Sequence, residues 1–240
     1  MTSPERRTSD PGQPCERLGQ PETLVGLGAT RTGWLLSAAV LLLAALTVAL
    51  ATGFGPLDRL DTAVANWGYR ATYGHDALSG WWIGVAAYGQ PVVLRAALVL
   101  LALNFVWKRR WALAIWLVGI TVAENVIAPL TKHLLSRPRP EWLEPIAVEH
   151  SLSYPSGHAA MAGTFAAAVI LVALTAMSPG RDRRLVVLLA LLVYLVISVD
   201  RIFLGVHYLS DVVAGNLLGL CIALAGWLVL LRRLRERHAA

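Results

Sequence analysis

Charged residues are scarce in this chain of 240 amino acids: they make up 15% of it, whereas soluble globular domains average about 25%. Hydrophobic residues make up 56%, which excludes a disordered chain and argues against an ordinary soluble domain. Only two cysteines are present, Cys15 and Cys221, too few and too far apart for a disulfide framework or a thiolate metal site. The formal net charge of +6 does not indicate a nucleic-acid partner, because the basic residues flank long apolar runs. The composition therefore indicates an integral membrane protein.

Six apolar runs predict helices that cross a bilayer. The first, Trp34–Phe54, contains no charged residue and as a helix would rise roughly 30 Å, the thickness of one bilayer core. We therefore predict an all-α, polytopic membrane protein, a six-transmembrane-helix bundle. The other runs are Trp82–Trp107, Trp111–Thr131, His158–Met177, Leu185–Val199 with a helical continuation to about Leu204, and Asp211–Leu231.

The two chain ends have a different composition from the six runs. Residues 1–31 are rich in Pro, Gly, Ser, Glu and Arg without an apolar period, which predicts a disordered tail. No cleavable signal peptide is expected there, because the first apolar run begins late and is too long. We expect the membrane domain to occupy residues 32–234 and a second tail to occupy residues 235–240.

The distribution of cations predicts an orientation in the cell membrane. The basic clusters all fall on one side of a six-span topology, so the positive-inside rule places both termini in the cytoplasm. The opposite, extracytoplasmic side then carries the loops 55–80, 132–157 and 200–210. The clusters are Arg6, Arg7, Arg17 and Arg31; Lys108, Arg109 and Arg110; Arg181, Arg183 and Arg184; and Arg232, Arg233, Arg235 and Arg237.

Several cations lie on the extracytoplasmic side against this rule, among them Lys132, Arg137, Arg139 and Arg201. A bound anion is the simplest reason for keeping them there. For Arg137 taken alone, a solvated loop charge is an equally good interpretation, and we expect Arg137→Ala to leave most of any activity.

Three short segments on the same side carry polar residues in a recognisable order. They are KHLLSRPRP (Lys132–Pro140), YPSGHAA (Tyr154–Ala160) and DRIFLGVHYLSD (Asp200–Asp211). This set resembles the type 2 phosphatidate phosphatase superfamily, whose membrane branch is related to the vanadium haloperoxidases. The resemblance rests on Lys132 and Arg139-Pro140, on Pro155-Ser156-Gly157-His158, and on Arg201, His207 and Asp211. One departure is visible, because Asp200 stands where the family usually has Ser.

These residues suit the binding of a phosphate group. A phosphate ester carries about two negative charges at neutral pH, which Lys132, Arg139 and Arg201 can offset without a metal. Ser156 and Gly157 lie at the predicted start of the fourth span, where free backbone amides attract an anion. Ser156 could instead serve only as a helix cap. We expect no metal site and no cofactor.

The spacing of the last motif suits nucleophilic catalysis. His207 and Asp211 are four apart, so on a helix they share one face, and Asp211 can fix the imidazole tautomer by accepting one ring N–H. The other ring nitrogen can attack phosphorus, while His158 can protonate the leaving oxygen. The resemblance implies the same roles: a phosphohistidine on His207, Asp211 as its partner, and His158 as general acid and then as base for water.

Other polar residues receive simpler interpretations. His75, His133, His150 and His238 are expected to be interfacial polar residues, and Asp58 and Asp61 surface or capping residues. Arg95 and Glu124 lie at equal distances on either side of the basic turn at residues 108–110, hence at equal depth in a helical hairpin. We expect these two intramembrane charges to pair in a mainly structural role.

The sequence thus predicts an integral membrane lipid phosphatase whose partners are the bilayer and a lipid phosphate substrate, with no nucleic acid and the oligomeric state open. Polyprenyl diphosphate, phosphatidate and phosphatidylglycerophosphate are all candidate substrates, with a weak preference for a polyprenyl diphosphate. A phosphotransferase that uses the same phosphoenzyme is one alternative. A lipid transporter or flippase is another, although no paired broken helices are evident. A haloperoxidase is disfavoured by the membrane setting.

Overall fold

The structure, a computed structural model, describes residues 28–239, with side chains to Glu236. Over this range it contains α-helices and one short 3₁₀ turn (Lys132–Leu134), and no strand. Most of the predicted tail 1–31, including Cys15, and the side chain of His238 lie outside the described part. The helices are α1 (Ala29–Ala51), α2 (Gly55–Thr72), α3 (Asp76–Tyr88), α4 (Pro91–Trp107), α5 (Trp111–Thr131), α6 (Gly157–Ala176), α7 (Arg181–Phe203) and α8 (Leu209–Ala239).

The predicted all-α, multi-span fold is confirmed. Within the described range, five helices are long and apolar enough to cross a membrane, and six spans result when α3 and α4 are counted as one bent span. The predicted span Trp82–Trp107 consists of two helices, because α3 and α4 meet at an angle of 43°. The break falls at Gly89–Pro91, where Pro91 lacks a backbone N–H and starts a new helix.

Helix α2 replaces part of the loop predicted at residues 55–80. Its buried positions, Asp61, Ala65, Gly68 and Thr72, recur at helical spacing and so form one face. That face packs against α7 and α8. A Cβ built on Gly68 would lie 2.6 Å from the Ile202 carbonyl oxygen, so glycine lets the two helices touch. The prediction missed α2 because its buried face consists of small and polar residues rather than an apolar stripe.

The closest helix contact joins α6 to α8. A Cβ built on Gly215 would lie 2.3 Å from the Ser156 carbonyl oxygen, and one on Gly219 would lie 2.1 Å from that of Ala160. Such small residues allow two membrane helices to approach backbone to backbone. The contact places the first turns of α6 and α8, which carry two of the three predicted motifs, beside each other.

The predicted pairing of Arg95 with Glu124 is confirmed. Arg95 Nε lies 3.1 Å from Glu124 Oε2, across the α4–α5 hairpin. The Glu124 side chain is only 1% exposed, so the nearby cation offsets the cost of burying a carboxylate.

The helix directions place the predicted site and the basic clusters at opposite ends of the bundle. Helices α5 and α7 end at the site, and α6 and α8 begin there, so α5 and α7 run toward the site end and α6 and α8 run away from it. The basic turn 108–110, the segment 181–184 and the arginines that follow Leu231 therefore lie together at the far end.

Candidate active site

Two cations from the segment after α5 point into the site and are held by backbone carbonyls. Lys132 Nζ donates to the Leu152 carbonyl oxygen at 2.6 Å. Arg139 Nε donates to the Ser151 carbonyl oxygen at 2.6 Å, and its Nη1 to that of Val206 at 2.7 Å. Because these acceptors are neutral, both side chains keep their positive charge available for an anion.

His207 lies at the centre of the site and is 2% exposed. Arg139 Nη1 lies 3.0 Å from its Nε2, and since a guanidinium can only donate, Nε2 is the unprotonated nitrogen. Burial lowers the pKa of His207 to about 4; attraction to Asp211 opposes the shift, and the charges of Arg139 and Lys132 reinforce it. The imidazole is therefore neutral at neutral pH, with the lone pair of Nε2 directed toward Arg139.

The other ring nitrogen of His207 is connected to Asp211 through a serine. His207 Nδ1 lies 3.7 Å from Asp211 Oδ2, which is longer than an ordinary hydrogen bond. Ser153 Oγ lies 3.3 Å from Nδ1 and donates to Asp211 Oδ2 at 2.6 Å. The direct hydrogen bond expected from the four-residue spacing is thus replaced by a relay through Ser153.

Arg201 contacts the second histidine and is oriented by Asp200. Arg201 Nη1 lies 3.3 Å from His158 Nδ1, while its Nε donates at 2.9 Å to Asp200 Oδ2, which also accepts from Nη2. The Asp200 carboxylate, which replaces the serine usual in the family pattern, is fully buried. It therefore acts as a fixed counter-ion that holds the guanidinium and leaves Nη1 facing His158.

Glu149, in the loop before α6, is a partly exposed acidic residue beside Arg201. Its Oε1 lies 3.6 Å from Arg201 Nη1, and its side chain is 36% exposed. Burial lowers the pKa of Arg139, as does repulsion from Arg201, whereas attraction to Glu149 and Asp211 raises it. Glu149 thus partly neutralises a group of cations that lie close together.

Ser156 and Gly157 begin α6 beside this group. The Ser156 side chain accepts from the Ala159 N–H at 3.5 Å, so Ser156 is a helix cap. Its own N–H donates to the Asp211 carbonyl oxygen at 3.0 Å. A Cβ built on Gly157 would meet open space, which leaves its backbone accessible. A phosphate-binding role for Ser156 and Gly157 stays a prediction.

Arg137 and Asp61 do not behave as expected from the sequence. Arg137 Nη1 donates to Asp211 Oδ1 and its Nη2 to Asp61 Oδ2, both at 2.8 Å, so the interpretation as a solvated loop charge is wrong. Asp61 is fully buried and is not a surface residue, whereas Asp58 is exposed. One feature of the sequence pointed to Arg137, namely its position among the cations that lie on the extracytoplasmic side against the positive-inside rule. No feature of the sequence pointed to Asp61 or Ser153.

The remaining histidines predicted to be interfacial, His75, His133 and His150, are exposed. The structure thus brings together the predicted residues from four separate stretches of chain. Lys132 and Arg139 come from the end of α5 and the loop after it, His158 from α6, Arg201 from α7, and His207 and Asp211 from the start of α8.

Comparison with known proteins identifies the class to which this fold and site belong. The model of the PAP2 superfamily matches residues 111–235, more than half of the chain, so the chain belongs to this superfamily. The predicted resemblance is confirmed, and the protein is a multi-pass membrane enzyme of the phosphatase class.

Two curated relatives and two solved structures are similar to the chain. An undecaprenyl-diphosphatase of Sulfolobus acidocaldarius is 30% identical over 149 residues, covering 59% of this chain and 66% of the relative. Phosphatidylglycerophosphatase B of Bacillus subtilis is 26% identical over 140 residues, covering 57% and 68%. The matches thus span about two thirds of each curated relative.

The structural comparisons support the fold. The crystal structure of a transmembrane PAP2 type phosphatidylglycerolphosphate phosphatase from Bacillus subtilis has a TM-score of 0.69 at 20% identity, covering 84% of this chain and 96% of the other. LpxE of Aquifex aeolicus has a TM-score of 0.55 at 24% identity, covering 70% and 94%.

Proposed function

We propose that the protein hydrolyses a lipid phosphate or diphosphate through a phosphohistidine on His207, at the extracytoplasmic face of the membrane. One observation carries the proposal. A buried, neutral imidazole turns its lone pair toward a guanidinium, with Ser153 and Asp211 behind it. This is the arrangement that a nitrogen nucleophile needs beside a bound anion.

The first step is binding of the phosphate group. Lys132, Arg139 and Arg201 offset its negative charge, and the two guanidinium groups present directed donors to its oxygens. As the phosphate binds, Arg139 turns its Nη1 from His207 Nε2 to a phosphate oxygen, which frees the lone pair for attack.

The second step transfers the phosphoryl group. His207 Nε2 forms a bond to the terminal phosphorus as the bond from that phosphorus to the leaving oxygen breaks. The leaving oxygen is the lipid ester oxygen of a monophosphate, or the bridging oxygen of a diphosphate, which leaves as the lipid monophosphate. As the phosphate binds, Arg201 turns its Nη1 from His158 Nδ1 to a phosphate oxygen, and His158 takes up a proton on Nδ1. The imidazolium then gives the proton on its Nε2 to the leaving oxygen and becomes neutral. The positive charge that develops on His207 is stabilised by Asp211 through Ser153. His158 then takes a proton from water, which attacks phosphorus and releases inorganic phosphate and the free His207.

A lipid substrate follows from the position of the site. The site lies at the ends of helices α5 to α8, which are candidate membrane spans, so a head group can reach the cations while its chains stay in the bilayer. The curated relatives are named for a polyprenyl diphosphate and a glycerophospholipid phosphate. We favour a polyprenyl diphosphate, with phosphatidate and phosphatidylglycerophosphate as the other candidates.

The direct test is phosphate release from these three lipids by the purified protein in detergent with EDTA present. We expect turnover, its loss in His207→Ala, and its retention in His133→Ala, a matched change of an exposed histidine. Equal activity in both variants would contradict the assignment of the nucleophile. Transfer of phosphate to an added alcohol in preference to water would favour a phosphotransferase, and transport without phosphate release would favour a transporter.

The extracytoplasmic position of the site is supported by the basic clusters at the opposite end of the bundle. It is tested with a membrane-impermeant thiol reagent on whole cells, in a background with Cys15 and Cys221 replaced by serine. Leu143→Cys, at a fully exposed position beside Glu144, should be labelled from outside, and Arg109→Cys should not. The reverse pattern would place the site in the cytoplasm.

A further inference from the structure

We propose that Asp61 and Arg137 are positioning residues for the reaction, forming a buried clamp that fixes the Asp211 carboxylate behind the nucleophile. The inference rests on the function proposed above. It adds Asp61, which lies on helix α2 outside the three segments, and Arg137, which lies within the first segment. It also replaces the expectation that Arg137→Ala leaves most of the activity.

The clamp is a continuous chain of hydrogen bonds between two buried carboxylates and the partly buried Arg137. Arg137 bridges two carboxylates, with Nη2 on Asp61 Oδ2 and Nη1 on Asp211 Oδ1, both at 2.8 Å. The Asp61 and Asp211 side chains are 1% and 0% exposed. Arg137 Nη1 also donates to Ser210 Oγ at 2.7 Å. The guanidinium carbon lies 4.2 Å from the centre of the Tyr208 ring, which packs against its face.

Both carboxylates are also bound to the first turn of α8. Asp61 Oδ1 accepts the Ser210 N–H at 2.9 Å, and Asp61 Oδ2 accepts from the Ser210 hydroxyl. Asp211 Oδ2 accepts the Tyr208 N–H at 3.0 Å. The positive end of the helix dipole stabilises such charges, but two carboxylates at one helix start repel each other. Arg137 lies between them and offsets that repulsion.

The two carboxylate oxygens of Asp211 have different partners, and this difference indicates what the clamp does. Oδ1 is held by Arg137, whereas Oδ2 accepts from Ser153 and faces His207 Nδ1 at 3.7 Å. Fixing Oδ1 therefore sets the direction in which Oδ2 points. Since the reacting groups must be held to a fraction of an ångström, a loosened Asp211 would lower the rate of phosphoryl transfer without weakening phosphate binding.

The test separates positioning from a purely structural role by measuring kcat, KM and the folded fraction of two variants. Asp61→Asn removes one charge of the clamp, and Arg137→Lys keeps the charge but lacks the planar fork of donors with which Arg137 holds both carboxylates. We expect kcat per folded molecule to fall roughly 10- to 100-fold, as is typical when a partner behind a reactive group is lost, with KM changed less than about twofold.

Matched controls are available on α2. Asp58→Asn and Arg70→Lys change the same residue types at exposed positions, and both should retain the wild-type kcat. If Asp61→Asn and Arg137→Lys lose folded protein but match these controls in kcat per folded molecule, the clamp is structural only and the proposal fails. A rise in KM at constant kcat would also overturn it, because it would place the pair in phosphate binding. A wild-type protein that releases no phosphate would instead refute the proposed function.

Discussion

The buried, neutral state of His207 predicts a specific loss of stability in acid. Burial lowers the pKa of His207 from an ordinary value of 6.5 to about 4 in the folded protein. Between these two values the unfolded chain binds a proton at this residue and the folded protein does not. Acid therefore favours the unfolded state, and the stability present above pH 6.5 is lost as the pH falls toward 4. At pH 4.5 the loss amounts to about 2–3 kcal/mol.

The assay compares melting temperatures in detergent at pH 7.5 and pH 4.5 for wild type and His207→Gln. In a domain of this size, a stability change of about 2–3 kcal/mol corresponds to roughly 5–10 °C in Tm. Wild type should lose that much more than His207→Gln, since other acid-sensitive groups are common to both. His133→Gln, at an exposed position, should behave as wild type. An equal loss of Tm in wild type and His207→Gln would refute the buried, neutral imidazole.

Three further predictions concern the loop before α6 and the α6–α8 contact. Glu149→Gln removes a carboxylate that competes with bound anions, so inorganic phosphate and vanadate should inhibit about two- to fivefold more tightly, while Glu141→Gln should leave inhibition unchanged. Ser153→Ala breaks the relay behind the nucleophile, so steady-state assays should show kcat reduced about tenfold at nearly constant KM. Gly219→Ala places a methyl group against backbone and should destabilise the protein by about 1–3 kcal/mol in thermal unfolding, whereas Gly119→Ala, where a Cβ meets open space, should not.

The spans could be predicted from the sequence because an apolar run long enough to cross a bilayer has few structural interpretations other than a transmembrane helix. The prediction for α5 matched the helix Trp111–Thr131, and the pairing of Arg95 with Glu124 followed from counting along a hairpin. The bend between α3 and α4 was missed, although Gly89 and Pro91 mark it. Counting apolar residues does not reveal the position at which a proline, which lacks a backbone N–H, interrupts a helix.

Residues of the site could be predicted only where they belong to a motif with a recognisable spacing. The structure brings His158, Arg201 and His207 together as expected, since each lies at the site end of a long helix. Asp61 and Ser153 could not be found, because a polar residue that is buried only by tertiary contacts has no local pattern to reveal it. Helix α2 was missed for the same reason.

The backbone contact between the first turns of α6 and α8 makes the spacing of His158 and His207 independent of the surrounding lipid. The Ser156 amide donates to the Asp211 carbonyl, and Gly215 leaves no room for a side chain between them. The separation of the His158 and His207 imidazoles therefore depends on main-chain contacts between the two helices rather than on the side-chain conformations of residues at the surface of the bundle. Residues such as Leu188 and Leu192, on the outward face of α7, are free to change with bilayer thickness or temperature while the chemistry stays the same.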